Sequence, residues 1–246
     1  MDYYRADLHV HSMLSPCGDM TMNPARIIQA AKTKNIDILG ITDHNSTLHS
    51  KLMIELGAEN DIKVLPGVEV NTSEEIHCLA FFENLDITNR FQEFLDENLP
   101  DVPNNSTLYG FQVLVDRDGN IIKEIDKLLV SALKCSIYEV AEKVYELGGI
   151  FIPAHVDRPY NSLLSQLGSI PNDLKLDALE VSARFGAGQF REMHPELKDY
   201  TLITNSDAHH PDMIARATTQ FRIAKPSFSE IKKALHQSES RKTRTV

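Results

Sequence analysis

With 246 residues, 42% of them apolar and 24% charged, the chain has ordinary globular composition and enough length for one large domain or a domain with an insertion. Its net charge of -10 argues against broad binding to nucleic-acid backbones, although bound cations could supply a local positive field for a small phosphorylated ligand. Three scattered cysteines (Cys17, Cys78, Cys135) suggest no disulfide framework. The opening MDYYRADLHVHS lacks a basic-then-apolar leader, and no apolar run approaches the ~20 residues of a membrane span, so a soluble, cytoplasmic protein is expected.

Strand-like and helix-like segments alternate from the start. Tyr3 to Val10 reads as a strand ending in histidines, and Asn23-Pro24 as a helix cap followed by proline at the first helical position. Ile36 to Thr42, Ile62 to Val68 and Ile76 to Phe82 are further strand candidates. Residues 84–135 break the rhythm with an acidic amphipathic helix (Ile87 to Asn98), a polar loop, and a hairpin from Phe111 to Ile122 turning at Asp118-Gly119. We expect a small inserted subdomain there. The alternation resumes with a helix from Ile137 to Leu147 that stops at Gly148-Gly149. Strands then follow at Ile150 to Ala154, Ala178 to Ser182, Thr201 to Asn205 and Ala217 to Ile223, and a last helix at Ser227 to His236. Arg241, Lys242 and Arg244 read as a frayed, solvated end.

Repeated βα units point to an α/β fold with a parallel sheet, open or closed. Polar residues recur at strand ends: His9 and His11, Asp43 and His44, Glu69, His155, then Asp207 and His209. Barrel enzymes gather their catalytic groups at such ends, so a TIM-like barrel, perturbed by the insertion, is expected.

A single histidine after a strand is more often structural, but six of the ten histidines lie in or at the ends of apolar strands, most beside a carboxylate or glycine. His9 and His11, two apart, share a strand face and can grip one ion; Asp7 on that face could orient them. Glu69 can bridge two ions, His77 and His155 supply imidazoles, Asp207 and His209 repeat the two-residue spacing, and Asp19 and His44 remain for a further ion. Nine nitrogen and oxygen donors exceed one tetrahedral zinc and suit two or three ions such as Zn, Mn or Fe. Closely spaced ions acidify a bridging water to a hydroxide nucleophile and neutralise charge on a phosphoryl group. No nucleophile elbow, Walker loop or dinucleotide fingerprint competes with this reading.

Asp7-Leu-His9-Val-His11-Ser12, Ile41-Thr-Asp-His-Asn45, Pro66-Gly-Val-Glu69, Pro153-Ala-His155 and Ser206-Asp-Ala-His209 together resemble the signature motifs of the PHP-domain (polymerase and histidinol phosphatase) phosphoesterases, in the family's order. The resemblance implies a distorted (β/α)7 barrel and a trinuclear centre. One ion would take His9, His11, Glu69 and Asp207, a second Glu69, His77 and His155, and a third Asp19, His44 and His209. Members often carry Ser-Asp-Gly where this chain has Ser15-Pro-Cys-Gly-Asp19, which makes Asp19 the loosest match. Nucleotide-hydrolysing members carry an inserted small domain between the His77 and His155 motifs, the interval that holds residues 84–135.

Around this set, Arg158 and Arg184 are candidates for binding substrate phosphate, with a surface salt bridge as the plain alternative for Arg158. Asp43 could orient a ligand or transfer protons. Cys17 could be a soft extra ligand, an oxidation point or a passive loop residue, and His194 and His210 read as rim histidines. The expected activity is hydrolysis of a small phosphomonoester or short phosphodiester, with nucleotides among the candidate substrates. Trimming of short oligonucleotides, C–N hydrolysis and a non-catalytic metal-binding regulatory module are the rival readings.

Overall fold

In a computed structural model, residues 1–184 and 186–246 are described. The first strand, β1 (Asp2–Val10), is followed by α1 (Pro24–Thr33), where Asn23 accepts the Ala25 N–H and Ile27, Ile28 and Ala31 turn inward. Then come β2 (Ile38–Ile41), α2 (Ser50–Ala58), β3 (Lys63–Asn71) and β4 (His77–Phe81). Residues 84–135 hold α3 (Leu85–Asn98), α4 (Ser106–Tyr109) and the hairpin β5 (Val113–Val115) with β6 (Ile121–Glu124). The chain continues through α5 (Ile137–Glu146), β7 (Ile150–Pro153), α6 (Leu163–Leu167), β8 (Leu179–Val181), α7 (Gly186–Met193), β9 (Leu202–Thr204), β10 (Thr219–Ile223), α8 (Phe228–Leu235) and β11 (Lys242–Thr245).

The fold is α/β, built on a curled seven-stranded sheet in the order β11-β10-β1-β2-β3-β4-β7, beside a parallel pair, β8 and β9. The pair extends the curl on both sides: Val156 N–H donates to Glu180 O next to β7, while next to β1 His11 N–H donates to Ala208 O and Ala208 N–H to His9 O. The sheet is mixed rather than uniformly parallel. β1, β2 and β3 run parallel, but only residues 72–76 join β3 to β4, too few for the crossover that a parallel neighbour needs, so β4 runs antiparallel. His77 therefore reaches the site from the start of its strand, whereas Glu69, His155 and Asp207 lie towards or beyond the ends of theirs.

Apolar side chains from the strands, including Leu8, Ile38, Leu65, Leu79, Ile152 and Ile203, share one buried cluster with Phe228 and Ile231 of α8. A second cluster lies under α1 and α2, and a third joins α3 and α5 to β3, β4 and β7. Phe91 and Leu95 put α3 into that third core, so the part of 84–135 with its own small cluster is the hairpin, where Val113 and Val115 pack on Met13. The C-terminal tail corrects our expectation of a frayed end: β11 pairs antiparallel with β10, and Arg241 grips the Glu230 carboxylate at 2.9 and 3.0 Å. Alternating lysine, threonine and arginine side chains suit an edge strand with one solvated face. Among the described residues, no helix is long and apolar enough to cross a membrane.

Candidate metal centre

One buried carboxylate organises the site. Glu69, 1% exposed, has Oε1 at 2.9 Å from His77 Nδ1, 3.0 Å from His155 Nε2 and 3.3 Å from His9 Nε2. Its Oε2 lies 3.2 Å from both His11 Nε2 and His44 Nδ1. Asp207 Oδ1 stands 3.3 Å from His9 Nε2 and from His11 Nε2, and those two nitrogens are 3.1 Å apart. Five imidazoles converge on one carboxylate, and two acceptor oxygens do not satisfy them all: buried His44 Nδ1 has no hydrogen-bond partner. The donor set and its crowding fit divalent cations. Donor atoms approach within 4.8 Å of one another in three groups: His9–His11–Glu69, His44–Glu69–His77, and His11–Cys17–His44–His209.

The rings are held from behind. His9 Nδ1 lies 2.9 and 3.1 Å from the Glu180 oxygens, and the same carboxylate accepts the His155 N–H and an Asn205 Nδ2 proton. Asn205 Oδ1 in turn accepts the Leu8 N–H, tying β1 to the segment after β9. His11 Nδ1 is 3.0 Å from Ser15 Oγ, which donates to Asp43. Asn161 Nδ2 meets His77 Nε2 at 2.9 Å, and His209 Nδ1 lies 2.9 Å from Asp207 O. Such outer partners orient ligating histidines and set their tautomer. His155 and Asp207 also occupy the left-handed backbone region (φ 30° and 49°), a strained conformation that recurs at functional sites.

Burial shapes the electrostatics first, and charge then decides them. Burial alone would raise the Glu69 carboxyl, but the imidazoles of His77, His9 and His44 hold it well below the ordinary range. Asp207 is depressed in the same way, against its own burial, by His9 and His11. For His11, burial favours the neutral ring, yet hydrogen bonds to Asp207 and Glu69 push it up to about 9. His209, half-buried and facing His11, is lowered by desolvation and by that ring to about 4.

Of the residues singled out from the sequence, His9, His11, His44, Glu69, His77, His155, Asp207 and His209 all meet in this cluster. Asp19 does not. It is exposed, and its carboxylate accepts the Thr21 N–H and hydroxyl at 2.7 and 2.6 Å. Cys17 lies nearer, with Sγ 3.1 Å from His209 Nε2. Asp43 sits behind His11, accepting bonds from Ser12 N–H and from the hydroxyls of Ser12 and Ser15. Asp7 leaves the imidazole face that strict alternation assigns it; a register shift between Asp7 and Val10 breaks that alternation, and its carboxylate binds Ser206 and Ala215 instead. Sequence reasoning missed the roles of Glu180, Ser15 and His49, the last of which lies 2.7 Å from Ser12 Oγ and accepts the Val115 N–H. A carboxylate inside the apolar strand β8 was the one signal available for Glu180.

Beside the cluster opens a cavity of about 490 Å³, lined by His155, Arg158, Tyr160, Ser182, Arg184 and Asp207 among others. Arg158 Nη2 donates to Asp207 Oδ2. Asp157, also in the lining, ties the segment after β7 to Ser182 by accepting its N–H and hydroxyl. His194 pairs with Glu196 and His210 lies beside Asp212; neither takes part in the cluster described above.

The PHP domain family model matches residues 7–153, and the PHP-associated model matches residues 197–240. The chain is 26% identical over 268 residues to the uncharacterized protein YqxK of Bacillus subtilis, covering 96% of this chain but 63% of that protein. It is 28% identical over 186 residues to the uncharacterized protein MJ1587 of Methanocaldococcus jannaschii, covering 72% and 80% of the two chains. Among solved structures it superposes on the lesion-specific endonuclease PfuEndoQ of Pyrococcus furiosus with a TM-score of 0.75 at 23% identity, covering 98% of this chain and 58% of that one. The chain thus spans roughly three-fifths of the length of YqxK and of PfuEndoQ. With the matched motifs converging on one buried carboxylate, the chain belongs to the PHP-domain family, whose members are metal-dependent hydrolases of phosphoester bonds.

Proposed function

We propose that this chain hydrolyses a small phosphomonoester or short phosphodiester, with a nucleotide as the leading substrate class, at a centre of two or three divalent ions. The observation that carries the reading is Glu69 ringed by five imidazoles at the edge of a cavity whose wall bears two guanidinium groups. His9, His11, Glu69 and Asp207 would hold one ion, and His77 and His155 with Glu69 a second. When bound, such ions activate water and offset the charge that builds on the phosphoryl oxygens.

The chain's own groups do the rest. Arg158, already beside the cluster, presents a planar fork suited to two phosphoryl oxygens, and Arg184 adds a second cation to the same wall. The same cavity is also lined by Asp157, Glu180 and Asp207, so the positive field that a phosphate needs would come from these two arginines together with bound cations. Tyr160, 68% exposed at the rim, offers a ring face to the organic part of a substrate. Glu180 and Ser15 keep His9 and His11 aimed inward. We read residues 84–135 as an insertion whose hairpin braces the loop after β1, since Val113 N–H donates to Met13 O and Val115 N–H to His49.

The test is turnover of p-nitrophenyl phosphate, its bis-ester, a nucleotide panel and short oligonucleotides by protein loaded with Mn, Zn or Fe. Metal-dependent release of phosphate or nucleoside, abolished by chelation, is the expected outcome. Preference for oligonucleotide ends over free nucleotides would move the assignment to end-trimming. Internal cuts at a lesion would instead match the likeness to PfuEndoQ, since Endonuclease Q has been solved with a 27-mer duplex bearing an abasic lesion. Stoichiometric metal with no turnover on any phosphoester would mark a non-catalytic module and overturn the proposal.

A further inference from the structure

The loop after β1 carries an arrangement that the strand-end motifs do not account for. Between Ser12 and Met22 the backbone doubles back through turn bonds from Ser15 N–H to Ser12 O, Gly18 N–H to Ser15 O, and Met22 N–H to Asp19 O. The fold is so tight at Gly18 that a Cβ there would lie 2.3 Å from Ser12 O, which only glycine avoids. The loop is pinned to the far side of the site where Asp19 N–H donates to His209 O. It is pinned to the hairpin at Gly110, where a Cβ would lie 2.0 Å from Pro16 O. This path puts residue 17 against the cluster and residue 19 past the turn, on Thr21.

We infer that Cys17, and not Asp19, completes the outermost ion site, so that this ion is held by His44, His209 and a cysteine thiolate, beside the His11 ring. The inference rests on the metal-centre reading above and specifies its third position. Cys17 Sγ lies 3.1 Å from His209 Nε2, and one donor from each of the four residues falls within a 4.8 Å span. His11 and His209 stack with ring centroids 4.2 Å apart, and His44 lies 4.7 Å from His11. Zinc binds imidazole nitrogen at about 2.1 Å and thiolate at about 2.3 Å, which sets tetrahedral donors roughly 3.5 Å apart, so a small contraction closes the site. A second pointer to a ligand is His44: it is 4% exposed, and its Nδ1, although 3.2 Å from Glu69 Oε2, makes no hydrogen bond. Two imidazoles and one thiolate, with a fourth position open to solvent or substrate, suit zinc, whereas an aspartate in that place would suit manganese or magnesium better. Cys17 binds as the thiolate, and its proton leaves to solvent as the ion enters.

Cobalt(II) reports the thiolate directly. Wild-type protein stripped of metal and saturated with cobalt is expected to show sulfur-to-cobalt charge-transfer absorption in the near ultraviolet. Cys17→Ser should lose that absorption and one equivalent of metal, Cys17→Asp should regain the equivalent without the absorption, and Asp19→Asn should keep both. Zinc should also shield Cys17 from alkylation, read by mass spectrometry; Cys78 and Cys135 are buried and serve as internal controls. A full cobalt complement without the absorption, its persistence in Cys17→Ser, or loss of an equivalent in Asp19→Asn would overturn the inference and leave the phosphoesterase reading standing. Failure of the wild type to bind any metal would overturn both.

Discussion

The inner and outer halves of the centre are built differently. The inner half, His9, His11, Glu69 and Asp207, stands on strands or immediately beyond them. Each inner imidazole is gripped twice, once toward Glu69 and once from behind by Glu180 or Ser15. The outer half, Cys17 and His209, sits on loops; Cys17 is exposed, and His209 Nδ1 rests on the carbonyl of Asp207, two residues away. Strand pairing and burial define the inner half within the core, whereas turn geometry defines the outer half at the rim. The inner ions should therefore be tightly held and essential, and the outer ion exchangeable.

The largest effect that would sharpen this contrast comes from losing an inner ligand. His9→Gln should lower phosphoester turnover by more than the roughly 100-fold typical of an outer-partner change, and should release more than one ion. His209→Gln should release a single ion and leave much of the turnover. Equal losses in the two variants, measured by elemental analysis and kinetics, would erase the distinction. Next in size is Glu180→Gln, which keeps the shape but removes the charge behind His9 and His155; metal affinity or turnover should fall about 10- to 100-fold. Unchanged metal affinity and turnover would show that Glu180 serves only the sheet.

The smallest effect is a pH signature in chelated protein. The native His11 is raised to about 9 from 6.5, so its contribution to stability is full below pH 6.5 and is lost as pH rises through 9. His209 is lowered to about 4, so its contribution is present above pH 6.5 and is lost as pH falls through 4. The alkaline fall in Tm should shrink in His11→Gln, leaving the part due to His9, which is also raised, and the acid-side fall should shrink in His209→Gln. Melting curves of both variants that superpose on the wild type at either extreme would break the comparison.

The same contrast explains what could be seen in the sequence. His9, His11, Glu69, His155 and Asp207 were legible because strand periodicity and strand ends constrain where such side chains point. Asp19 was misleading because a loop has no period: one tight turn at Gly18 moves the cysteine inward and the aspartate outward. Glu180 looked like one more strand residue, since its partnership with His9 spans 171 positions. The antiparallel course of β4 followed from the short link at 72–76 rather than from any pattern within the strand. α2 escaped notice because His49 before it makes no side-chain cap bond, while the caps at Asn23 and Ser136 announced α1 and α5. The tail, read as solvated from its charges, is held by pairing with β10 that local composition does not reveal.

One experiment bears most directly on the claim that a single carboxylate gathers a catalytic metal centre. Bound metal per chain and phosphoester turnover should be measured together on wild type and Glu69→Gln, with circular dichroism to verify the fold. The expected result is two or three ions and turnover in the wild type, with both collapsing in a folded Glu69→Gln variant. Wild-type turnover retained in that variant, or the same metal content in both proteins, would contradict the account.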